Sequence, residues 1–150
     1  YKMINTADSM VGYKNARFYA YGWCAASLDD LINYLPARLT GGLIIMASLW
    51  APAGMIAAFK TMVVDAPKHP SPNAGWPEAA IAGGLGIWLA GPRAYGRRVI
   101  AIDKFNPHGR DAEISDIRTA LRIIAIAQII GVIFLLFAGW PVIMTIPSVL

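Results

Sequence analysis

The hydrophobic pattern is plainest where charge runs out. Every Asp, Glu, Lys and Arg lies at or before Arg122, which leaves residues 123–150 uncharged over 28 positions. As a helix, residues 123–140 extend roughly 27 Å at 1.5 Å per residue, close to the thickness of a bilayer's hydrocarbon core. Arg118 and Arg122 precede this segment and Trp140 closes it, where interfacial anchors belong, and Pro141 is expected to interrupt it. A second uncharged stretch, residues 41–59, is nineteen residues long and ends at Lys60. Pro52, within Ala51-Pro-Ala-Gly54, removes a backbone donor there, so we expect one kinked span, with two short helices in a hairpin as the alternative. A third stretch, residues 79–92, has fourteen uncharged residues, roughly 21 Å of helix, which is short for a span. Ala79 with Gly83, Ala80 with Gly84 and Ala82 with Gly86 put small residues at helical spacing, so this segment is expected to be a re-entrant or protein-buried helix that another helix approaches closely.

The polar parts carry helical periodicity too. Phe18, Tyr21, Ala25, Leu28, Ile32 and Leu35 recur at steps of three and four, the stripe of one amphipathic helix with Gly22 as a blemish, and Pro36 is expected to end or kink it. Asp29, Asp30 and Asn33 lie off that stripe and near one another. Ile114, Ile117 and Leu121 make a shorter stripe leading into the last apolar segment, with Asp111 as the expected N-cap. Between the two stripes, residues 68–77 hold three prolines and one glycine, which excludes helix and central strand and predicts a rigid loop. No strand pattern and no internal repeat is visible. The expected fold class is all-α: a polytopic integral membrane protein with amphipathic surface helices and a proline-rich loop, its 150 residues forming a single membrane-embedded domain.

Composition agrees with this. The chain is 57% hydrophobic and 15% charged, with mean hydropathy +0.50, displaced from soluble domains in the direction of membrane proteins. Thirteen Lys and Arg against nine Asp and Glu give +4, scattered over residues 2–122 without a dense run. That distribution is a poor footprint for nucleic acid, and it suits anionic headgroups or phosphorylated small molecules better. The single cysteine, Cys24, forms no internal disulfide and asks for no oxidising compartment. With Tyr1 in place of an initiator Met and no apolar leader, the chain reads as a fragment.

Several chemistries drop out on spacing. Gly83, Gly84, Gly86 and Gly91 follow no strand and do not space as a dinucleotide fingerprint; there is no Gly-Lys-Ser/Thr phosphate loop and no Gly-x-Ser-x-Gly elbow. His69 and His108 are 39 residues apart with one distant cysteine, which gives zinc no local support. What remains is a density of amides, carboxylates and cations beside apolar segments: Asn5, Asp8, Lys14, Asn15, Arg17, Asp29, Asp30, Asn33 and Arg38, then Lys68, His69, Ser71, Asn73 and Glu78. About half of such a set is expected to be merely solvated. Glu78 begins an otherwise uncharged helix, where capping of the helix dipole and metal binding compete evenly.

Three of these segments are long and ordered: Asn5-Thr-Ala-Asp-Ser-Met-Val-Gly-Tyr-Lys14, Asp29-Asp-Leu-Ile-Asn-Tyr-Leu-Pro-Ala-Arg-Leu-Thr40 and His69-Pro-Ser-Pro-Asn-Ala-Gly-Trp-Pro-Glu-Ala-Ala80. They closely resemble the signature segments of the CobD/CbiB family, the adenosylcobinamide-phosphate synthases of cobalamin biosynthesis, over residues 1–98. The resemblance implies an integral membrane ligase. It uses ATP and magnesium to join the free carboxylate of adenosylcobyric acid to aminopropanol phosphate through an amide. The chain looks like the C-terminal half of such an enzyme, with the N-terminal half and membrane lipid as its expected partners and no nucleic acid.

This reaction accounts for the residue types. A carboxylate becomes reactive toward an amine at neutral pH once its oxygen is a leaving group, and phosphorylation by ATP is the usual route. On this reading Asp8, Asp29 or Asp30, and Glu78 hold magnesium through hard oxygen ligands. Lys14, Arg38 and Lys68 bind phosphates, while Asn5, Asn33 and Asn73, with Ser71, orient substrate. His69, with Asp30 and Glu78 among the catalytic candidates, is a base for the attacking ammonium, competing with a histidine bonded to the loop backbone. Trp76 stacks on a ring or anchors at the interface. One difficulty stands: if residues 41–59 cross the bilayer once, the first two segments and the third lie on opposite faces. Nine Lys and Arg between residues 60 and 122 favour a cytoplasmic place for that region in the cell's inner membrane. The competing class is a non-catalytic membrane module, a transporter subunit or sensor, that binds a corrinoid or nucleotide.

Overall fold

The computed structural model describes residues 19–95, 98–100 and 103–145, with Met3 and Thr6. Helix α1 (Tyr19–Ala47) has 29 residues and does not end at Pro36. Pro36 was expected to end or kink a helix. It is exposed, and the helix continues past it. Arg38 donates from Nη1 to the Tyr34 carbonyl at 2.7 Å, a further donor beside the weakened rung.

Residues 41–59 do not form the single kinked helix favoured from sequence. α1 stops at Ala47 and is followed by a 3₁₀ turn (Ser48–Trp50) and then, beyond Pro52, by α2 (Gly54–Asp65). Gly54 adopts φ +81°, open to glycine at no steric cost, and the Ala53 N–H donates to the Gly84 carbonyl at 3.0 Å. α2 then returns along α1: Met62 lies against Gly41, and Ala58 and Ser48 both lie against Gly84. The alternative of a helical hairpin is the one the chain adopts.

A 3₁₀ turn (Ala66–Lys68) and the turns of residues 69–74 lead to α3 (Gly75–Leu85), which ends where Gly86 takes φ +69°. The expected close approach of small residues is realised. A Cβ on Gly83 would stand 2.6 Å from the Ala57 carbonyl oxygen of α2, and one on Gly84 would stand 2.5 Å from Ser48 Oγ. Ala79, Ala80 and Ala82 are fully buried, so α3 is the centre of the core, flanked by α1 and α2.

After α3 come four strands, where none was expected. β1 (Leu89–Ala90) pairs antiparallel with β4 (Lys104–Phe105), and β2 (Arg93–Tyr95) with β3 (Arg98–Ile100). At two or three residues each they are too short to show alternation. Phe105 from β4 is fully buried, plugging the core beside His69.

Helix α4 (Ile114–Thr145) continues through Pro141, which was expected to interrupt it. Asp111 is not its N-cap; it accepts Trp88 Nε1 at 2.6 Å. The start is fixed by Asp116, whose carboxylate reaches back to the Glu113 N–H at 2.8 Å and takes both Nη atoms of Arg110, at 2.8 and 2.6 Å. α4 touches the body through Ile123 and Ala127, both buried, while residues 132–138 are exposed apolar side chains and an alanine. Among the described residues it is the one helix long and apolar enough to cross a membrane. The structure is mostly helical, as expected.

Candidate functional site

Asp29 and Asn33 are four apart, one helical turn, and Asn33 Nδ2 donates to the Asp29 carbonyl at 3.0 Å and to its carboxylate at 2.9 Å. Arg38 reaches back along the helix toward Tyr34, its guanidinium 3.3 Å from the Tyr34 ring centre and 4.6 Å from that of Trp76. A planar cation between two aromatic faces is held in one orientation.

The proline-rich segment meets α1 through Asn73, which is buried. Asn73 Nδ2 donates to the Asp30 carbonyl at 2.8 Å and to its carboxylate at 3.3 Å, and its Oδ1 accepts Arg38 Nη1 at 3.2 Å. Arg38 Nη2 donates to the Pro72 carbonyl at 3.4 Å, and Trp76 Nε1 donates to the same oxygen at 3.0 Å. Ser71 Oγ accepts the N–H groups of Asn73 and Ala74, both at 3.3 Å, which shapes the turn that presents Asn73. The second and third polar segments, far apart in sequence, are therefore joined at Asp30, Arg38 and Asn73, while Asp29 and Asn33 bond each other on α1. Three of Arg38's five N–H groups are used, and the other two have no partner among the described residues.

His69 and Lys68 lie just before Ser71 in the chain. His69 Nδ1 is held by the loop backbone, 2.9 Å from the Ser71 N–H that it accepts and 3.2 Å from the Ser71 carbonyl oxygen; accepting that N–H places the neutral ring's proton on Nε2. The ring leans on Phe105 with centroids 6.0 Å apart. Lys68 Nζ pairs with Asp65 Oδ1 at 2.5 Å, while Asp65 Oδ2 accepts the Asn106 N–H at 2.8 Å. Asp65, buried at the end of α2, was missed from sequence. Its signal was its isolation, as the lone acid between Asp30 and Glu78.

Glu78 lies elsewhere. It is half-buried in the first turn of α3 and lines a cavity of about 550 Å³ between α1, α3 and α4, with Thr40 and Gln128 as the other polar groups. The α1 wall of that cavity begins at Thr40, ten residues or roughly 15 Å of helix beyond Asp30. Among the described residues no three His, Cys, Asp or Glu side chains group as metal ligands. Asn5, Asp8 and Lys14, with Asn15 and Arg17, lie outside the described residues.

Residues 1–124 match the family model described as CobD/Cbib protein, which takes in all three polar segments. The chain belongs to the CobD/CbiB family. It is 51% identical over 126 residues to the cobalamin biosynthesis protein CobD of Brucella anthropi, covering 82% of this chain and 38% of that one. It is 43% identical over 144 residues to the protein of the same name from Rhodobacter capsulatus, covering 95% and 45%, and 44% identical over 138 residues to that of Desulfotalea psychrophila, covering 91% and 42%. The chain thus spans about two fifths of the length of these curated relatives. No solved structure gives a significant match. The family match stops at Ile124, just past Arg122, the last charged residue of α4.

Proposed function

We propose that the chain contributes the nucleotide-handling part of a membrane-bound ligase of cobalamin biosynthesis, which joins adenosylcobyric acid to aminopropanol phosphate through an amide at the expense of ATP. The observation that carries this reading is the Asn73 amide, bonded at one end to Asp30 and at the other to Arg38, because it brings a carboxylate and a phosphate-competent cation together. Asp29 and Asp30 present hard oxygens suited to magnesium, with Asp8 and Lys14 as further contributors, and the unused N–H groups of Arg38 suit phosphate oxygens. When bound, ATP with magnesium supplies the activation of the carboxylate.

The side chains around it divide the remaining work. Tyr34 and Trp76 hold the Arg38 plane, and Asn33 and Asn73 fix the carboxylates of α1. His69 takes the proton that the attacking ammonium loses in the tautomer that turns Nδ1–H to the Ser71 carbonyl, 3.2 Å away, and frees the Nε2 lone pair. Lys68 reaches phosphate by exchanging its Asp65 partner. The exposed apolar side chains of α1, α2 and α4 favour a multi-pass setting in the inner membrane. The basic residues of the 60–122 region favour the cytoplasmic side, where ATP is available.

The test is conversion of adenosylcobyric acid by membranes containing the intact protein. Product formation dependent on both ATP and aminopropanol phosphate, and reduced at least tenfold by Arg38→Ala, is expected. Binding of corrinoid or nucleotide without turnover would instead identify a binding module and overturn the ligase reading.

A further inference from the structure

The cavity between α1, α3 and α4 is not used by the chemistry above. Its walls are apolar, built by Leu43, Ile81, Leu89 and Ile124 among others, and its lining holds one anion, Glu78, two neutral polar groups, Thr40 and Gln128, and no cation. Glu78 has neither a hydrogen-bond nor an ionic partner among the described residues, although it is half-buried. A carboxylate set among apolar walls favours a cationic partner, because those walls offer it no hydrogen-bond donor. About 550 Å³ is within the range of small-molecule sites, which are mostly apolar with a few convergent polar groups.

We infer that this cavity receives the amine substrate, with a primary ammonium on the Glu78 carboxylate and the hydroxyl of Thr40 and amide of Gln128 as secondary acceptors. The inference rests on the ligase reading for the identity of the amine and on the cavity for its place. The absence of a cation from the lining means that the ammonium end enters and a phosphate end stays outside, so Glu78 captures the amine and the ammonium leaves it before losing its proton at His69. Glu78 is thereby a substrate-binding residue separate from the Asp29 and Asp30 pair, which answers the competition between capping and metal binding with a third role.

The test uses the intact protein in membranes and in detergent, with aminopropanol phosphate as the probe. Glu78→Gln keeps the shape and removes the charge. It is expected to raise KM for the amine about tenfold to a hundredfold, the loss associated with one charge-assisted bond. KM for ATP and for adenosylcobyric acid and the magnesium requirement stay unchanged, Glu78→Asp recovers part of the affinity, and Thr40→Val raises the amine KM a few-fold. An unchanged amine KM in Glu78→Gln with normal turnover overturns the inference and leaves the ligase reading standing. A shifted magnesium or ATP requirement overturns it in favour of metal binding. Thermal stabilisation by the amine alone, lost in Glu78→Gln but seen in a protein that forms no amide, keeps the site and removes the ligase reading. If the unsubstituted protein neither responds to the amine nor forms the amide, both fall.

Discussion

Asn73 is the side chain on which the candidate site most directly depends. Its buried amide satisfies a donor need at Asp30 and an acceptor need at Arg38, so truncation leaves both partners short in a place that water reaches poorly. Asn73→Ala is therefore expected to cost about 1–3 kcal/mol of stability, and to lower turnover by more than that loss explains because Arg38 is released from its position. Thermal unfolding in detergent, read beside the rate of amide formation, checks this; an unchanged melting temperature and rate would remove the bridge from the mechanism. The sequence pointed to Asp30, Arg38 and Asn73 by residue type and by resemblance. It was silent on which side chain bonds which, because the Asn73–Asp30 bond joins positions 43 residues apart and no local spacing encodes it. Asp65 escaped for a related reason: its partners are Lys68, one turn away, and the Asn106 backbone, which only the fold brings near.

At the scale of elements, two glycines of similar appearance in the sequence have opposite meanings. Gly83 faces the Ala57 carbonyl so closely that Gly83→Ala must force α2 and α3 apart, a loss of about 1–3 kcal/mol. Gly42 lies in α1 with nothing within 4 Å of where a Cβ would stand, so Gly42→Ala is expected to be neutral or to stabilise by up to about 1 kcal/mol. Paired melting curves decide it. The small-residue spacing in α3 was legible because it is periodic. The hairpin was not, since Pro52 is compatible with a kink and with a turn; Gly54's positive φ and the Ala53–Gly84 bond select the turn. Pro141 misled because proline marks a weakened rung of a helix and does not by itself end it, and α1 likewise does not end at Pro36.

The start of α4 offers a pH test at the same scale. Asp116 is pulled down from the ordinary 3.8 to about 2, first by the Arg110 hydrogen bond and then by the Glu113 N–H. A carboxyl whose folded-state value is lowered adds stability that is fully present above its unfolded value and is lost as pH falls toward the folded one. Asp116→Asn is therefore expected to melt below the unsubstituted protein at pH 6, with the gap closing between about pH 4 and pH 2. A gap independent of pH over that window would show that the carboxylate's charge contributes nothing.

For the whole molecule, the reversal after Ala47 decides which polar segments can share one side of a membrane. Had residues 41–59 crossed once, the face bearing Asp29, Asp30 and Arg38 and the loop bearing His69 and Asn73 would have been separated by the bilayer. The hairpin instead returns the chain along α1, and the Asn73 bonds close the circuit. In the intact protein, with exposed Cys24 replaced by serine, single cysteines at Tyr34 and Pro70, both exposed, are therefore expected to react with a membrane-impermeant maleimide from the same side. A cysteine at Phe137, on the exposed apolar face of α4 beyond the family match, is expected to be shielded by lipid and to react only after detergent is added. Labelling of positions 34 and 70 from opposite sides would contradict the shared surface, and with it the joining of carboxylates and Arg38 into one site. A freely labelled Phe137 position would contradict only the membrane setting of α4, because the bonds that assemble the site run between α1 and the 69–76 segment and none involves that helix.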